Sequence, residues 1–328
     1  MFYAVTEDGV ELPVIDVTHP TFAVEDKEER LREAWQRDSR ERKDWEHKPR
    51  WVRRLMFWAA RRNSVLLGSL SARQGTFLDA MSTYLMKLGP QHIGAGYAKR
   101  LDRQIAGSPA VLDIRLRLQR VAHVVADALE SAAVARPGRD IHFIDIAGGP
   151  AIDAINALLL LRQRPATQLD GRFIRLHVLD AHREAPAFGA RALAALQADG
   201  GPLRGLDCRF EYRPYDWNAA AGLGDTLAAI GPDAVVAGTS EGGLFQYGSD
   251  DAIVANLAAL RDTTPSDFTF TGTISPNTPE NLRDRRMMQI TVRHFDTSAF
   301  ETLVARAGWR PDRILPARRN TVVRLVKA

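Results

Sequence analysis

Residues 141–162, IHFIDIAGGPAIDAINALLLLR, decide the fold of this chain. The first six are mostly apolar and favour a buried strand, and a turn of small residues follows them. From Ala151 to about Arg162 the run is apolar and long enough for a helix. Pro150 suits the start of that helix, where no N–H is needed. A buried strand, a tight turn and a helix form the repeating unit of a parallel α/β sheet.

The same alternation continues downstream. Helices are expected at residues 186–198, 219–230, 250–260 and 297–307, and strands at 172–180, 206–215, 233–238, 267–274, near 312–316 and at 321–326. Apolar strands that alternate with helices predict a doubly wound, mostly parallel α/β sheet, here of seven strands. No helix separates the last two strands, so they should form a hairpin with an antiparallel last strand.

The chain before residue 109 is expected to be organised differently. Residues 1–24 are predicted to be irregular with a short β-like run, and residues 25–54 carry dense charge of both signs, typical of a solvated helix. Glycine and proline then divide the chain into short helices, until one long helix is expected at 110–135. We predict an N-terminal, mainly helical region, 1–108, that forms a cap, a homodimer contact or both, and an α/β domain, 109–328.

One apolar stripe stands out in the N-terminal region. Trp51, Leu55 and Trp58 recur at helical spacing, with Arg53 and Arg54 beside them. A basic amphipathic helix can lie on a membrane. The sequence favours packing against a partner subunit or the main domain instead, so no membrane contact is expected.

Composition limits the classes of function. The chain has 328 residues, 45% of them hydrophobic, which is enough for a full core. Its formal net charge of +4 is too small to indicate a nucleic-acid partner. Cys208 is the only cysteine, which excludes an internal disulfide and suits a reducing cytoplasm. The sequence has no signal-peptide or membrane-spanning pattern and no Cys/His cluster for a metal.

The turn after the first strand is the expected ligand site, because ligands bind at the carboxyl ends of the strands in this architecture. Residues 145–151 read Asp-Ile-Ala-Gly-Gly-Pro-Ala. Gly148 and Gly149 allow a ligand to approach the backbone, and the following helix offers free N–H groups. A dinucleotide-binding enzyme would carry G-x-G-x-x-G here. The sequence lacks that pattern, which disfavours a NAD-dependent oxidoreductase.

The turn resembles the first motif of the class I S-adenosylmethionine-dependent methyltransferases, an acid followed by alternating small residues. The matching positions are Asp145, Ala147, Gly149 and Ala151, with alanine at two places where the family most often has glycine. Residues 297–328 also resemble the family's last helix, Ala-Gly-aromatic turn and hairpin. The resemblance covers about residues 110–328 and implies S-adenosylmethionine as the cofactor.

The resemblance extends to the ends of the next two strands. Asp180, followed by Ala181, ends the second strand, where the family uses an acid to accept both ribose hydroxyls. Asp216 and Trp217 follow the third strand and resemble the family's acid for the adenine amine and its neighbouring aromatic. Two alternatives stay open: Asp180 as an ordinary strand-end acid, and Asp216 as a helix N-cap.

The residues for transfer itself are less marked. The exit of the fourth strand faces the methyl group in this fold. It carries Thr239 and Ser240 as cofactor contacts, Glu241 as a base or cofactor contact, and Tyr247 to orient the acceptor. His294 is a second candidate base, needed only if the acceptor carries a proton. An exposed loop acid at 241 and a structural histidine at 294 are the alternatives.

His92 and Tyr97 precede the long helix and are expected to bind the acceptor. No Asn-Pro-Pro-Tyr motif follows the fourth strand, which argues against the branch of the family that methylates nucleic-acid amines. The sequence therefore predicts a metal-independent methyltransferase acting on a small molecule of specialised metabolism. A binding or regulatory protein that keeps the fold and the cofactor without transferring a methyl group is the alternative.

Overall fold

The computed structural model describes residues 1–66, 80–94, 99–228, 230–282 and 292–328. Two short strands, β1 (Tyr3–Val5) and β2 (Glu11–Pro13), form an antiparallel hairpin. The sequence predicted a short β-like run that contains β2, and left the residues of β1 irregular. The hairpin closes because the Thr6 hydroxyl accepts the Val10 N–H at 2.9 Å and Gly9 adopts a left-handed φ of 83°.

Helices dominate the rest of the N-terminal region, as predicted. They are α1 (Glu28–Glu46), α2 (Arg50–Arg62), α3 (Ala80–Lys87) and α4 (Arg100–Ala106). Pro49 lies between α1 and α2 in an extended conformation and so ends the first helix.

Helices and strands alternate in the remainder of the chain. The helices are α5 (Pro109–Ala135), α6 (Ile152–Arg162), α7 (Glu184–Gln197), α8 (Ala221–Leu227), α9 (Leu244–Tyr247), α10 (Asp250–Thr263) and α11 (Thr297–Ala305). The strands are β3 (Ile141–Ile146), β4 (Phe173–Asp180), β5 (Asp207–Pro214), β6 (Val235–Ser240), β7 (Thr269–Pro276), β8 (His294–Phe295), β9 (Trp309–Leu315) and β10 (Thr321–Lys327).

These strands lie in the order β5-β4-β3-β6-β7-β10-β9. The strands from β5 to β7 in this order are parallel, and β10 is antiparallel to both of its neighbours. The predicted doubly wound, mostly parallel fold is confirmed, with the two-residue β8 added beside β7. The strand order reverses between β3 and β6, so the expected ligand site lies at their carboxyl ends.

Strand β6 begins and ends two residues later than predicted. Thr239 pairs with Asp145 on one side and with Thr271 on the other, and Ser240 pairs with Gly272. Thr239 and Ser240 therefore belong to the strand and not to the loop after it. Pairing from two neighbouring strands extends β6 beyond its apolar stretch.

Both faces of the sheet are buried. Neighbouring residues of β3 point to opposite faces: Phe143 packs in the same core as Ile155 of α6, and Ile144 in the same core as Leu257 of α10. Arg172 closes the end of α5 by donating to the backbone carbonyls of residues 133, 136 and 139. Because both faces of the sheet are covered, the ends of the strands are the part of the sheet that can contact a ligand.

The N-terminal segment packs against the α/β part. Asn156 of α6 accepts the Val17 N–H at 2.7 Å and donates to the Ile15 carbonyl at 2.9 Å. The Tyr84 hydroxyl of α3 donates to the Pro13 carbonyl at 2.6 Å. The hairpin, the segment after it and α3 therefore share a core with α6, and a division of the chain at residue 108 stays a proposal.

Candidate functional site

The turn between β3 and α6 has a left-handed backbone at three alternate positions. Ala147, Gly149 and Ala151 have φ angles of 56°, 52° and 50°. Glycine adopts such angles freely, whereas alanine costs about 1–2 kcal/mol there. The Ala147 N–H donates to the Leu179 carbonyl at 2.7 Å and holds the turn against β4. Two alanines are thus kept in a conformation that favours glycine.

Asp180, the last residue of β4, is bonded to this turn. Its Oδ2 accepts the Gly149 N–H and its Oδ1 accepts the His182 N–H, both at 2.9 Å. The side chain is half-buried, and each oxygen keeps a further lone pair. Asp180 therefore supports the turn and can still accept from a hydroxyl, while Ala181 beside it is exposed.

Asp145 lies beneath the turn and is completely buried. A Cβ added to Gly148 would come within 2.3 Å of the Asp145 carboxyl carbon, so only glycine fits there. Among the described residues, only the acid Asp153 can share a hydrogen bond with Asp145, and no other group donates to either Asp145 oxygen. Burial, and then the neighbouring Asp153, raise the pKa of Asp145 well above its usual range. A buried acid without a donor is costly, and a shared proton or a bound cation would relieve that cost.

Asp153, in the first turn of α6, is the acidic partner of Asp145. Burial, and then Glu241, raise the pKa of Asp153, although its carboxylate accepts the Thr239 hydroxyl at 2.7 Å. Because both buried acids resist ionisation, the Asp145–Asp153 pair favours holding one proton.

The Ser240 hydroxyl accepts an N–H of α9 at 2.9 Å and is likewise bonded within its own loop.

The acid and the aromatic after β5 make local contacts. Asp216 is exposed, and its Oδ1 accepts both the backbone N–H and the side-chain amide of Asn218 at 2.9 Å. Trp217 is half-buried, and its carbonyl accepts from Asn256 at 2.8 Å. The N-cap of α8 is Ala220, so Asp216 closes a turn and does not cap the helix.

Glu241 follows β6 and is buried, with 9% of its surface exposed. It binds two cations, Lys87 at the end of α3 and the Nε of Arg117 on α5, the latter at 2.7 Å. Burial alone would raise the pKa of Glu241, but Arg117 and Lys87 outweigh it and hold the pKa below its usual range. Glu241 is therefore ionised near neutral pH and is not an exposed loop acid.

A polar network continues from this ion pair. Arg117 Nη1 donates to Asn320 Oδ1 at 3.4 Å, and Gln246 Nε2 donates to the same oxygen at 3.0 Å. Gln246 also reaches the Ser275 hydroxyl at 3.4 Å. The four side chains are buried, and they join α5, α9, β7 and the start of β10 at one edge of the sheet.

Tyr247 and His294 lie beside this network. Tyr247 ends α9, directly after Gln246. The Arg293 N–H donates to the Gln246 carbonyl at 2.9 Å, and His294 pairs with Ser275 in the ladder of β8 and β7. The structure thus brings the segments that carry the three candidate catalytic residues to the same edge.

The residues expected to bind the acceptor are placed differently. The ring of His92 lies 5.2 Å from that of Phe22, and burial, then Arg115 and His19, lower the pKa of His92. These contacts tie His92 to the N-terminal segment and α5. Tyr97 lies outside the described residues. The binding role of both stays a prediction.

Sequence reasoning missed three charged residues of this edge. Asp153 left a signal, since it is an acid inside the apolar run 151–162. Lys87 and Arg117 have no such signal in the sequence. Basic residues on helices are usually solvated, so nothing predicts that these two are buried. Their buried position depends on Glu241, which is 154 and 124 residues away in sequence.

Helix α3 covers the turn. A Cβ added to Gly149 would lie 2.9 Å from the Ala80 side chain.

Two surface cavities, of about 430 and 330 Å³, lie along α5, away from the point where the strand order reverses. Among the described residues, no group of three or more His, Cys, Asp or Glu side chains could hold a metal ion. In the same part of the chain, every helix is too short or too polar to cross a bilayer.

The strand order, with an antiparallel β10 between β7 and β9, is that of a Rossmann-like α/β fold, as the sequence predicts. The chain matches no protein-family model and no curated protein. It is similar to a solved structure of a possible exported protein from Bordetella parapertussis, with 17% identity, a TM-score of 0.55, and coverage of 80% of this chain and 86% of that one.

Two methyltransferase structures are also similar, each with a TM-score of 0.40. Mitomycin 7-O-methyltransferase is 18% identical over 69% of this chain and 57% of its own. The 1,6-didemethyltoxoflavin N1-methyltransferase of Burkholderia thailandensis, solved with S-adenosylhomocysteine, is 14% identical over 65% and 78%.

Proposed function

We propose that the chain is a metal-independent, S-adenosylmethionine-dependent methyltransferase that acts on a small molecule of specialised metabolism in the cytoplasm. One observation carries the proposal: beneath a turn that is bonded to Asp180, the buried Asp145 carboxyl group has no partner among the described residues except the acid Asp153. S-adenosylmethionine carries an ammonium, a sulfonium and a ribose diol. The Asp145 carboxylate would be suited to bind the cationic ammonium. The Asp180 carboxylate would be suited to accept hydrogen bonds from the ribose diol.

The residues of the edge fit this cofactor. Gly148 and Gly149 would present the backbone of the turn, and Asp145 would give up its shared proton to hold the ammonium. Asp180 would accept from the ribose. Asp216 and Trp217, after β5, would meet the adenine. When bound, the cofactor supplies a methyl group on a sulfonium.

The other charged residues of the edge would position the acceptor. Glu241 is held by Lys87 and Arg117, so it is a weak base, and its buried ion pair fixes α3 and α5 against β6. Tyr247 would orient the acceptor, and His294 would take its proton if it carries one. Thr239 and Ser240 would shape the floor of the site from within β6.

Titration calorimetry with S-adenosylmethionine, S-adenosylhomocysteine and NAD tests the proposal. We expect the first two to bind and NAD not to bind. Release of S-adenosylhomocysteine with a panel of phenols, carboxylic acids and amines then tests transfer. Binding without transfer to any acceptor would indicate a regulatory protein, and tight binding of NAD alone would indicate an oxidoreductase.

A further inference from the structure

Helix α2 presents an apolar face to solvent. Trp51, Leu55 and Trp58 are 69%, 57% and 54% exposed. Met56 and Phe57 lie on other sides of the helix and are exposed as well. Five of the eleven exposed large apolar side chains of the described residues lie in this helix. Within the described part of the chain, the main domain therefore does not cover the apolar stripe. The stripe can be buried only against another surface.

The charge of α2 points to the chemistry of that surface. Residues 48–62 contain one lysine, five arginines and no acid. Arg50, Arg53 and Arg54 form no ion pair with any described residue. Arg50 and Arg54 are four residues apart and so share one flank of the apolar stripe. Long arginine side chains at such a flank can extend to anionic groups while the stripe stays buried.

Both ends of α2 are attached to the body of the protein. After the helix, the Ser64 hydroxyl and the Leu66 N–H donate to the buried Asp102 carboxylate at 2.5 and 3.1 Å. Before it, Leu31 and Trp35 of α1 pack against α5. The helix is about 20 Å long. It is thus held on the protein surface by contacts at both of its ends.

The sequence alone predicts no membrane contact, and the exposure of the stripe in the structure reverses that expectation. We propose that α2 docks on an anionic lipid surface, with Trp51, Leu55 and Trp58 in the interface and Arg50 and Arg54 at the headgroups. A helix with a basic flank and an aromatic and aliphatic face is suited to lie in the plane of a membrane. A two-fold contact with a second copy of α2 would set arginines against arginines. A nucleic acid would leave the tryptophans and the leucine unburied.

Co-sedimentation of the full chain with vesicles tests the proposal. Vesicles of phosphatidylcholine with about 30% phosphatidylserine should bind the protein, and pure phosphatidylcholine should bind it weakly. Trp51→Ala/Trp58→Ala should weaken binding by at least about tenfold, because two aromatic side chains no longer enter the interface. Arg50→Gln/Arg54→Gln should weaken it by about fivefold per arginine and reduce its salt dependence.

Matched variants elsewhere on the surface serve as controls. Val134→Ala/Ile314→Ala and Arg204→Gln/Arg209→Gln remove exposed apolar and basic groups from other faces and should bind vesicles like the wild type. The Arg50→Gln/Arg54→Gln variant decides the question if the tryptophan variant loses its circular dichroism spectrum. Unchanged binding by both α2 variants overturns the proposal. So does a chain that ignores vesicles but forms a dimer that Trp51→Ala/Trp58→Ala dissociates, since a second copy would then cover the face.

Discussion

Asp180 and Gly149 are joined by a 2.9 Å hydrogen bond from the Gly149 N–H to the Asp180 Oδ2. The acid at the end of β4 therefore holds the turn at the end of β3, in addition to any contact with a ligand. Loss of the Asp180 side chain would alter the turn and the proposed ribose contact together.

We expect Asp180→Ala to weaken S-adenosylmethionine binding by about 10- to 100-fold, because a half-buried acceptor and a support of the turn are both lost. Asp180→Asn keeps one oxygen for Gly149 and should lose less. Calorimetry measures the affinity, and the exposed Asp199→Asn is the matched control. Unchanged affinity in Asp180→Ala would remove this residue from the cofactor site.

Gly149→Ala should be more damaging than an alanine at another left-handed glycine. At Gly149 the φ is 52° and the new Cβ would meet Ala80 at 2.9 Å, whereas at Gly200 the φ is 78° and nothing lies within 4 Å. Both variants carry about 1–2 kcal/mol of backbone strain, but only Gly149→Ala must also displace α3. Thermal unfolding and cofactor titration of the two variants measure the difference, and equal losses would contradict this reading.

Glu241→Gln should lower the free energy of unfolding by about 3–5 kcal/mol, because Lys87 and Arg117 would then face a neutral amide in a buried site. Lys87→Met leaves Arg117 to balance Glu241 and should cost less. Urea unfolding at neutral pH measures both. A Glu241→Gln protein as stable as the wild type would show that the ion pair contributes nothing to the fold.

His294→Ala separates a proton acceptor from a structural histidine. If His294 removes the acceptor's proton, turnover should fall by about 10²- to 10⁴-fold while cofactor affinity stays the same. If positioning alone suffices, the loss should be small and should appear as a higher KM. A chelator should have no effect in either case. Activity that disappears with chelator and returns with magnesium would exclude the metal-independent mechanism.

A buried pair, His142 and His177, predicts a loss of stability in mild acid. Their ring nitrogens lie 2.9 Å apart, and the residues are 5% and 2% exposed. Burial, and then the partner His177, lower the pKa of His142 to about 4; burial, and then Arg175, lower the pKa of His177 to about 4. In the unfolded chain a histidine has a pKa near 6.5, so the unfolded state binds more protons below that pH.

The stability should therefore be complete above about pH 6.5 and fall between about pH 6.5 and 4, by at most about 3 kcal/mol per histidine. Urea unfolding across this range measures the slope. His142→Phe/His177→Phe should flatten it, and the exposed His47→Gln should not. The same slope in the phenylalanine variant would assign the acid sensitivity to other groups.

The sheet was predictable because its signals are local. Most of the parallel strands are short apolar runs followed by a helix, and the short link between β9 and β10 predicts their antiparallel pairing. Strand-end acids could be placed for the same reason, since Asp145 and Asp180 follow from the positions of β3 and β4. Strand ends were less certain, as Thr239 shows, because pairing with β3 and β7 extends β6 beyond its apolar residues.

The ion pairs across the site were not predictable, because nothing near a residue in sequence records a partner more than a hundred positions away. Arg117 has a local sequence like that of Arg115 and Arg120 of α5, which are only half-buried, yet it is buried against Glu241. The exposure of the apolar face of α2 could not be predicted from the sequence either. An amphipathic pattern reports that a face is apolar, and does not report whether the body of the protein covers it.

The position of β10 has a consequence for synthesis on the ribosome. β10 lies between β7 and β9, so residues 321–327 must leave the exit tunnel before either neighbour can complete its pairing. Until then, β7 has an open edge beside an apolar layer, a state prone to aggregation. The nascent chain is thus expected to need chaperone protection up to its last strand, even though the turn at residues 145–151 emerges much earlier.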